Sequence, residues 1–527
     1  MSNELFEIDK LYRSNKFDKV VAKTKKLIKK GEYLSPYYNL LGISLDNLGQ
    51  TLEAEKYLYE AINKNPGEIS HYSNLARILI KQIKLKLAEE ILNKGITINS
   101  GDSHILFEFG KLERYKKNFN KSTEYFEKVL SINPEFQNVL LFIGKNYIDL
   151  SLETSDKKYK DLAKYKFLES AKLFPENVDA DYLLSELFDY SKDKKHQQTM
   201  LSKIENVNFK NAKQKSVIYF ALAKSFDDQK KYDQAAEFLK IANNEMNSTI
   251  DKDFMLNILR KHNNLKHIFE KLINIKFLND SSLYKKKLIF VVGMPRSGTT
   301  LVHQLLDAAD GTEGIGESTI IPHFFENLIF NKEFFSNLFK NNKTNISYLI
   351  EVSKSLGNNF DISAKTKKEI IIDKNPSNFF WIGFLKLLFP NSKIIHTKRN
   401  LKDISLSVFR NLFGVKEMDW SYSPKNIMDF IRIYQKTIDF WKLRYNDYIY
   451  EIDYEKLISN KEEETKKLFS FCELEWSEKI FDFYKTGKTI RTASVNQVKM
   501  PIYKSSLNSS NNYIDHLKFL KELENFS

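Results

Sequence analysis

The 527-residue sequence predicts two architectures in series: an all-α superhelix of stacked helix pairs, then a three-layer α/β/α domain around a parallel sheet. Three observations carry this. Residues 35–136 repeat every 34 positions, the mark of stacked structural units. From about residue 285, short apolar runs alternate with helical stretches, the texture of parallel strands joined by crossover helices. The first of those runs leads straight into a glycine-bearing turn and a helix start, the layout of an anion-binding loop. The boundaries that follow are a repeat solenoid over 1–250, a helical linker over 251–285 and an α/β domain over 286–527.

Composition narrows the function classes. With 42% apolar and 28% charged residues, the chain has the balance of a folded globular protein. Only 17 glycines and 10 prolines interrupt it, which favours long helices. The single cysteine, Cys472, allows neither an internal disulfide nor a thiolate metal cluster. No apolar run approaches the roughly 20 residues of a membrane helix. The opening MSNELFEIDK carries acids where a secretory leader needs a basic and then an apolar run. A cytoplasmic location without a membrane span is expected. Net charge is +14, yet only ten of the 82 basic residues are Arg. Lysines dispersed among Glu and Asn make solvated faces, whereas nucleic-acid grooves cluster Arg and Lys with aromatics between them. No nucleic-acid partner is expected, and an Arg inside a phosphate signature carries extra weight.

The repeat is clearest when 35–68, 69–102 and 103–136 are set in register. Position 8 reads Gly42, Ala76, Gly110, and position 20 reads Ala54, Ala88, Ser122. Position 7 reads Leu41, Leu75, Phe109, and position 24 reads Leu58, Leu92, Phe126. Position 32 reads Pro66, Ser100, Pro134. Small residues at 8 and 20 let the two helices of a repeat approach, large ones at 7 and 24 fill the space between neighbours, and Pro closes the second helix. A fourth copy carries Gly144, Ala163, Phe167 and Pro175, stretched by seven residues near 153–160. A divergent pair covers about 178–210, and a clearer copy has Leu222, Ala223, Phe226, Ala235, Leu239 and Ala242. Residues 5–34 fit a partial first repeat. Period and pattern resemble the tetratricopeptide repeat. That resemblance implies a concave face for a peptide or protein partner; the other meaning left open is a solenoid that only holds the second half in a homodimer.

In the second half, candidate strands are Leu288–Val292, Glu369–Ile372, Lys393–His396 and Tyr448–Ile452. Candidate helices lie near 299–309, 377–389, 401–412, 425–445 and 461–471. Between the first strand and first helix stands Gly293-Met-Pro-Arg-Ser-Gly-Thr-Thr300. Backbone N–H groups of such a turn converge on an anion, and the helix dipole favours its charge. The spacing matches G-x-x-x-x-G, but Thr299 follows where a nucleoside-triphosphatase loop has Lys, and the positive charge comes from Arg296. The loop alone leaves kinase and non-kinase chemistry open. After the third strand comes Thr397-Lys-Arg-Asn-Leu-Lys-Asp-Ile-Ser-Leu-Ser407. Arg399 sits at a strand's carboxyl end, where open α/β sheets bind ligands. Ser407 is two helical turns further on, and an Arg fork plus a hydroxyl suits a phosphate monoester.

Two anion sites on one nucleotide are the arrangement of the sulfotransferases, whose donor 3′-phosphoadenosine 5′-phosphosulfate is charged at both ends. Residues 286–515 resemble the sulfotransferase domain of the tyrosylprotein-sulfotransferase-like group, joined to tetratricopeptide repeats as in bacterial two-part sulfotransferases. The resemblance implies that Arg296, Ser297, Gly298, Thr299 and Thr300 grip the 5′-phosphosulfate and that Arg399 and Ser407 hold the 3′-phosphate. Asp373-Lys374-Asn-Pro376 matches the family's Lys-x-Pro, whose Lys reaches the transferring group. Gly316-Glu317-Ser-Thr-Ile-Ile-Pro322, one residue shorter than in the tyrosylprotein enzymes, resembles the segment carrying the general base, which makes Glu317 that base. Ser494-Val-Asn-Gln497-Val-Lys499-Met-Pro501 resembles the late loop closing over the 3′-phosphate. Further on, Asn508–Asn512 stands where bacterial relatives carry basic and Trp residues, with Lys504 as a substitute. Tyr454 matches a family Tyr near the nucleotide, with a core Tyr as the other reading.

By this resemblance Glu317 takes the acceptor's proton, while Lys374 and Arg296 neutralise charge on the bridging oxygen and sulfuryl group, with no metal required. The acceptor is a hydroxyl, with protein tyrosine or another peptide as the suggested candidate and carbohydrate, lipid and small-molecule hydroxyls left open. The competing functions are a small-molecule P-loop kinase and a repeat scaffold with an inactive nucleotide domain. Removal of residues 1–250 is expected to spare donor binding.

Overall fold

The computed structural model describes residues 3–31, 34–209, 211–272, 284–329, 339–340, 343–485 and 507–526. The chain forms two compact units, Met1–Leu187 and Phe188–Ser527.

The first unit is a run of helix pairs: α1 (Asn3–Arg13) with α2 (Phe17–Lys29), α3 (Ser35–Asn47) with α4 (Thr51–Lys64), and α5 (Ile69–Lys81) with α6 (Leu85–Ile98). There follow α7 (Ser103–Tyr115) with α8 (Phe119–Ile132), α9 (Val139–Thr154) with α10 (Lys157–Leu173), and the short α11 (Asp179–Ser185). The small residue of position 8 is required by the large one of position 24 in the same repeat. A Cβ on Gly42 would lie 2.6 Å from Leu58 Cγ, and Gly110 and Gly144 meet the rings of Phe126 and Phe167 closer than 3.0 Å. Position 24 thus fills the gap inside its own repeat. At position 20, Ser122 donates to the Gly110 carbonyl at 2.7 Å. The seven extra residues of the fourth copy lengthen both helices, to 16 and 17 residues from the 13 and 14 of the copy before it, and leave the Gly144–Phe167 contact intact.

A feature not visible as a residue type marks the turn between paired helices. Asn15, Gly49, Ile83 and Lys117 all have left-handed backbone, with φ of 55°, 81°, 61° and 66°. The next N–H bonds back to the residue five before it, as in Gln50 to Leu45, Lys84 to Leu79 and Asn118 to Glu113, each at 2.9 Å. This closes the first helix of each pair. Ile83 is β-branched and 68% exposed there, a conformation that costs an L-residue about 1–2 kcal/mol. Ile83→Asn is expected to raise stability by about 1 kcal/mol, read as a higher denaturant midpoint with unchanged m-value; a lower midpoint would show that the Ile83 side chain itself stabilises the turn.

The second unit opens with α12 (Lys195–Asn206), α13 (Ala212–Asp228), α14 (Tyr232–Asn247) and α15 (Phe254–Leu272). Lys230 repeats the left-handed turn at φ 59°, so α13 and α14 are a repeat-type pair inside this unit. A cut at residue 250 therefore runs through the second unit rather than beside it. The sheet comprises β1 (Lys287–Gly293), β2 (Thr312–Gly316), β5 (Ile370–Lys374), β6 (Lys393–Lys398) and β7 (Ile449–Asp453), in the order β2-β5-β1-β6-β7 with all pairs parallel. A two-residue hairpin, β3 (Phe339–Lys340) and β4 (Lys343–Thr344), stands apart from it. Four of these strands are the ones the apolar runs predict. The fifth, β2, reads Thr-Glu-Gly-Ile-Gly and lies half-buried at the sheet edge, so it has no apolar run to find. The helices α16 (Thr299–Asp307), Leu401–Phe409, Pro424–Tyr445 and Lys461–Phe471 match expectation. The stretch near 377–389 is a 3₁₀ helix, Pro376–Trp381, followed by a short α-helix, Ile382–Leu388. Among the described residues, the helices α17 (Ile320–Ile329), Ile346–Ala364 and the short Tyr454–Ser459 and Phe519–Glu522 lie outside those expected stretches.

Candidate active site

The central strand β1 delivers the loop. Register places Val291 beside Lys374 of β5 and Gly293 beside Thr397 of β6, so residues 293–298 leave the sheet between those two carboxyl ends. Open sheets bind ligands at this edge. Three loop residues have left-handed backbone: Gly293 (φ 153°), Arg296 (φ 71°) and Gly298 (φ 98°). A side chain at Gly293 would meet Thr397 Oγ1 at 2.5 Å, and one at Gly298 would meet the Tyr454 ring. Arg296 holds this conformation without being glycine, a local strain characteristic of functional loops. Its carbonyl accepts from Arg399 Nη1 at 3.0 Å.

The loop residues divide by what they already do. Ser297 is buried, its hydroxyl shares a 2.6 Å hydrogen bond with Thr397, and its N–H donates to the Met294 carbonyl. In this structure it pins the loop to β6. Thr299 and Thr300 open α16 behind Gly298, a position at which first-turn N–H groups and the helix dipole favour an anion. Arg296 Nε donates to Ser407 Oγ at 2.9 Å. The residue expected at the 5′ end thus touches one expected at the 3′ end, so the two candidate sites adjoin.

Arg399 completes it. Its side chain is 9% exposed and lies 4.0 Å from Asp403. Its guanidinium also covers the Tyr454 ring at 4.7 Å. Tyr454 is half-buried and wedged between Gly298 and Arg399.

On the other side of β1, Lys374 ends β5 and Glu317 follows β2. The ammonium of Lys374 donates to Glu317 Oε1, with Lys374 1% exposed and Glu317 41% exposed. Burial pulls the Lys374 ammonium below the ordinary lysine range, while the Glu317 charge opposes that shift. The preceding Asp373 is fully buried. Burial pushes its carboxyl up to about 7, against the pull of Ser318, Lys374 and Asn378. Asn378 donates to Asp373 at 2.7 Å, and Asn375 donates to the Ser318 carbonyl at 2.9 Å, which tethers the Glu317 segment to the end of β5.

Sequence reasoning missed what braces these groups from behind. Asp403 accepts from the Asn508 and Ser510 N–H groups at 2.8 and 2.9 Å, holding the C-terminal segment against the first turn of Leu401–Phe409. At the other end of that helix, buried Asn243 of α14 donates to the Phe409 carbonyl at 2.8 Å. Tyr513 donates to Asp227 of α13. A second chain runs from Lys442 to Glu451, on to His396 and to Tyr434. The His396 hydrogen bond is the main cause holding the Glu451 carboxyl down at about 2. Ser494, Lys499 and Lys504, expected over the 3′-phosphate, lie outside the described residues. Among the described residues no group of three or more His, Cys, Asp or Glu is placed to hold a metal ion, and no helix is long and apolar enough to cross a membrane.

Residues 289–478 match the family described as the sulfotransferase family. They form a sulfotransferase-family domain. The tetratricopeptide-repeat family matches at 35–67 and 103–136, so repeats precede the sulfotransferase domain as the periodicity requires. An uncharacterized protein of Aquifex aeolicus is 31% identical over 313 residues, which is 56% of this chain; the match spans 40% of that relative's length. A Caenorhabditis briggsae protein named "Putative protein-tyrosine sulfotransferase" is 24% identical over 236 residues, covering 42% of this chain and 80% of its own. Similar solved structures include a Pseudomonas aeruginosa pilF chain, at 20% identity over 39% of this chain and 88% of that one, with a TM-score of 0.31. Another is a thermophilic tetratricopeptide-repeat protein of Thermus thermophilus, at 14% identity, 35% and 97% coverage and the same TM-score. Likeness at that level carries no further argument.

Proposed function

We propose that the protein moves a sulfuryl group from 3′-phosphoadenosine 5′-phosphosulfate to a hydroxyl acceptor. The observation that carries this is the convergence of the Arg296 loop with Arg399 and Ser407 on one polar surface at the carboxyl edge of the sheet. A donor charged at both ends fits two linked anion sites. The acceptor oxygen attacks sulfur as its proton passes to a Glu317 carboxylate oxygen, and the bond from sulfur to the 5′-phosphate oxygen breaks. Lys374 and Arg296 offset the charge on that departing oxygen, electrostatic help that is strong in a water-poor site. Sulfuryl transfer, like phosphoryl transfer, then needs mainly alignment and charge stabilisation from the protein. Tyrosine as acceptor is supported by the name of the Caenorhabditis briggsae relative and by the repeats, whose family commonly binds protein segments.

A kinase would need a Lys on the β/γ-phosphates and a Mg²⁺ ion, and Thr299 stands where that Lys would be. The experiment is transfer of labelled sulfate from the donor to cell extract with chelator present, beside a parallel ATP reaction. Sulfate transfer that survives the chelator supports the proposal; label from ATP alone overturns it. Arg399→Ala is expected to weaken 3′,5′-bisphosphoadenosine binding at least tenfold more than AMP binding. Equal losses would remove Arg399 from the 3′-phosphate.

A further inference from the structure

Two neighbouring residues of β6 stand at the start of the glycine-bearing loop, on opposite faces of the sheet, since successive strand residues alternate in direction. Thr397 shares the 2.6 Å hydrogen bond with Ser297 and donates to the Val292 carbonyl at 3.3 Å. His396, one residue earlier, lies in register with Val292 of β1 on one side and with Glu451 of β7 on the other. Val292 immediately precedes Gly293, the first loop residue. The residues before His396 in β6, Ile394 and Ile395, are apolar and fully buried. A buried polar side chain therefore enters this face just where the loop begins.

The hydrogen bonds around His396 have one consistent direction. Lys442 donates to Glu451 Oε2 at 2.7 Å, and Lys398 lies 3.9 Å from the same oxygen. The Glu451 carboxyl is held ionised and only accepts. His396 Nδ1, 2.9 Å from Glu451 Oε1, therefore carries the hydrogen. Burial disfavours a second proton on the ring, which leaves Nε2 bare and makes the Tyr434 hydroxyl its donor. Burial and the charges of Glu451 and Asp439 keep that phenol protonated, and its oxygen accepts from the Met294 backbone N–H. Met294 is itself fully buried. Side-chain exposure falls inward along this path, from 33% at Lys442 and 27% at Glu451 to 3% at His396.

A buried polar chain adds little stability over apolar packing, but with every member paired it fixes one geometry. The loop has a geometry to fix. Arg296, two residues beyond Met294, holds left-handed backbone at φ 71°, and such a conformation persists only where its surroundings over-determine it. The loop is pinned at three places: Met294 by Tyr434, the Arg296 carbonyl by Arg399, and the Ser297 hydroxyl by Thr397. We propose that His396, neutral and with its hydrogen on Nδ1, is a positioning residue for the 5′ end of the donor. Through Tyr434 it sets Met294, and with it the turn that places Arg296 and the N–H groups after it. This rests on the donor reading above and adds a group that serves the 5′ end alone, apart from the Arg399 and Ser407 pair assigned to the 3′-phosphate.

The test is calorimetry on the full chain with adenosine 5′-monophosphate, adenosine 3′-monophosphate and 3′,5′-bisphosphoadenosine. Tyr434→Phe is expected to weaken the 5′-monophosphate about tenfold and to leave the 3′-monophosphate within about twofold. His396→Leu should do the same. His396→Gln, whose amide oxygen can still accept from Tyr434, should restore most of the loss. Thr437→Val removes another buried hydroxyl of the helix Pro424–Tyr445, one that donates to the Ile433 carbonyl, and controls for lost stability. It should not discriminate between the two monophosphates. Nitrogen NMR of protein with isotope-labelled histidine, at neutral pH, should show a ring with its hydrogen on Nδ1 and a bare Nε2 that vanishes in His396→Gln. Equal or absent losses of the two monophosphates in Tyr434→Phe and His396→Leu, a selective 5′ loss in Thr437→Val, or a His396 ring protonated at Nε2 would overturn the positioning role. Failure of the unaltered protein to bind the bisphosphate would instead remove the donor reading, and this role with it.

Discussion

Lys374→Met is expected to lower turnover by about 10²–10³-fold while changing 3′,5′-bisphosphoadenosine affinity only a few-fold. The bisphosphate has no sulfuryl group, so it misses the group that Lys374 would serve. The side chain is 1% exposed at the end of β5 and has the Glu317 carboxylate as its partner. A cation desolvated in this way acts strongly on charge that appears during the reaction. Glu317→Gln should lower turnover by about 10²–10⁴-fold as loss of a base. Because the two side chains touch, the double variant should fall well short of the product of the single losses. Steady-state rates with saturating donor decide this; wild-type turnover in Lys374→Met would remove the residue from the reaction. The pH dependence has a defined sign. Lys374 acts as a cation and burial lowers its pKa, so the rate falls as pH rises through a value below the ordinary lysine pKa of about 10.4. Lys374→Arg should move that alkaline limb upward, and an unmoved limb would assign it to another group.

Removal of residues 1–250 is expected to abolish 3′,5′-bisphosphoadenosine binding, and removal of 1–187 to preserve it. This reverses the expectation drawn from periodicity. The α13–α14 pair reads as another repeat, yet it belongs to the compact unit that carries the proposed donor site. Asn243 is 1% exposed and uses its amide on both the Leu239 and Phe409 carbonyls. The second bond fixes the end of the helix that bears Ser407. Asp227 holds Tyr513, on the segment that Asp403 anchors beside Arg399. Asn243→Leu leaves a buried carbonyl unpaired, at a cost of about 1–3 kcal/mol. Around tenfold weaker binding of the bisphosphate by calorimetry, with AMP binding nearly unchanged, is the expected result. Equal loss of both ligands would limit Asn243 to general stability.

The repeat architecture was legible because it is periodic and local. In the first three copies the Gly or Ala at position 8 answers a large side chain sixteen residues on within one helix pair, so contact and signal share one short stretch. The glycine-bearing loop was legible for the same reason: strand, glycines and helix start are consecutive from Leu288 to Leu301. The left-handed turns at Ile83 and Lys117 were hidden, since of these turns only those at Asn15 and Gly49 announce that conformation by residue type. The edge strand β2 was hidden because half-burial leaves it without an apolar run.

Pairings across the sheet could not be read from the chain. Glu317 meets Lys374 because β2 lies next to β5, with Gly316 beside Asp373. Arg296 meets Ser407 because β6 lies next to β1. Asn243 finds Phe409 across 166 residues with no local pattern to mark it. Residue types and short spacings specify which chemistry is present. Strand order and helix docking, which depend on burying surfaces far apart along the chain, decide which of those groups can act together.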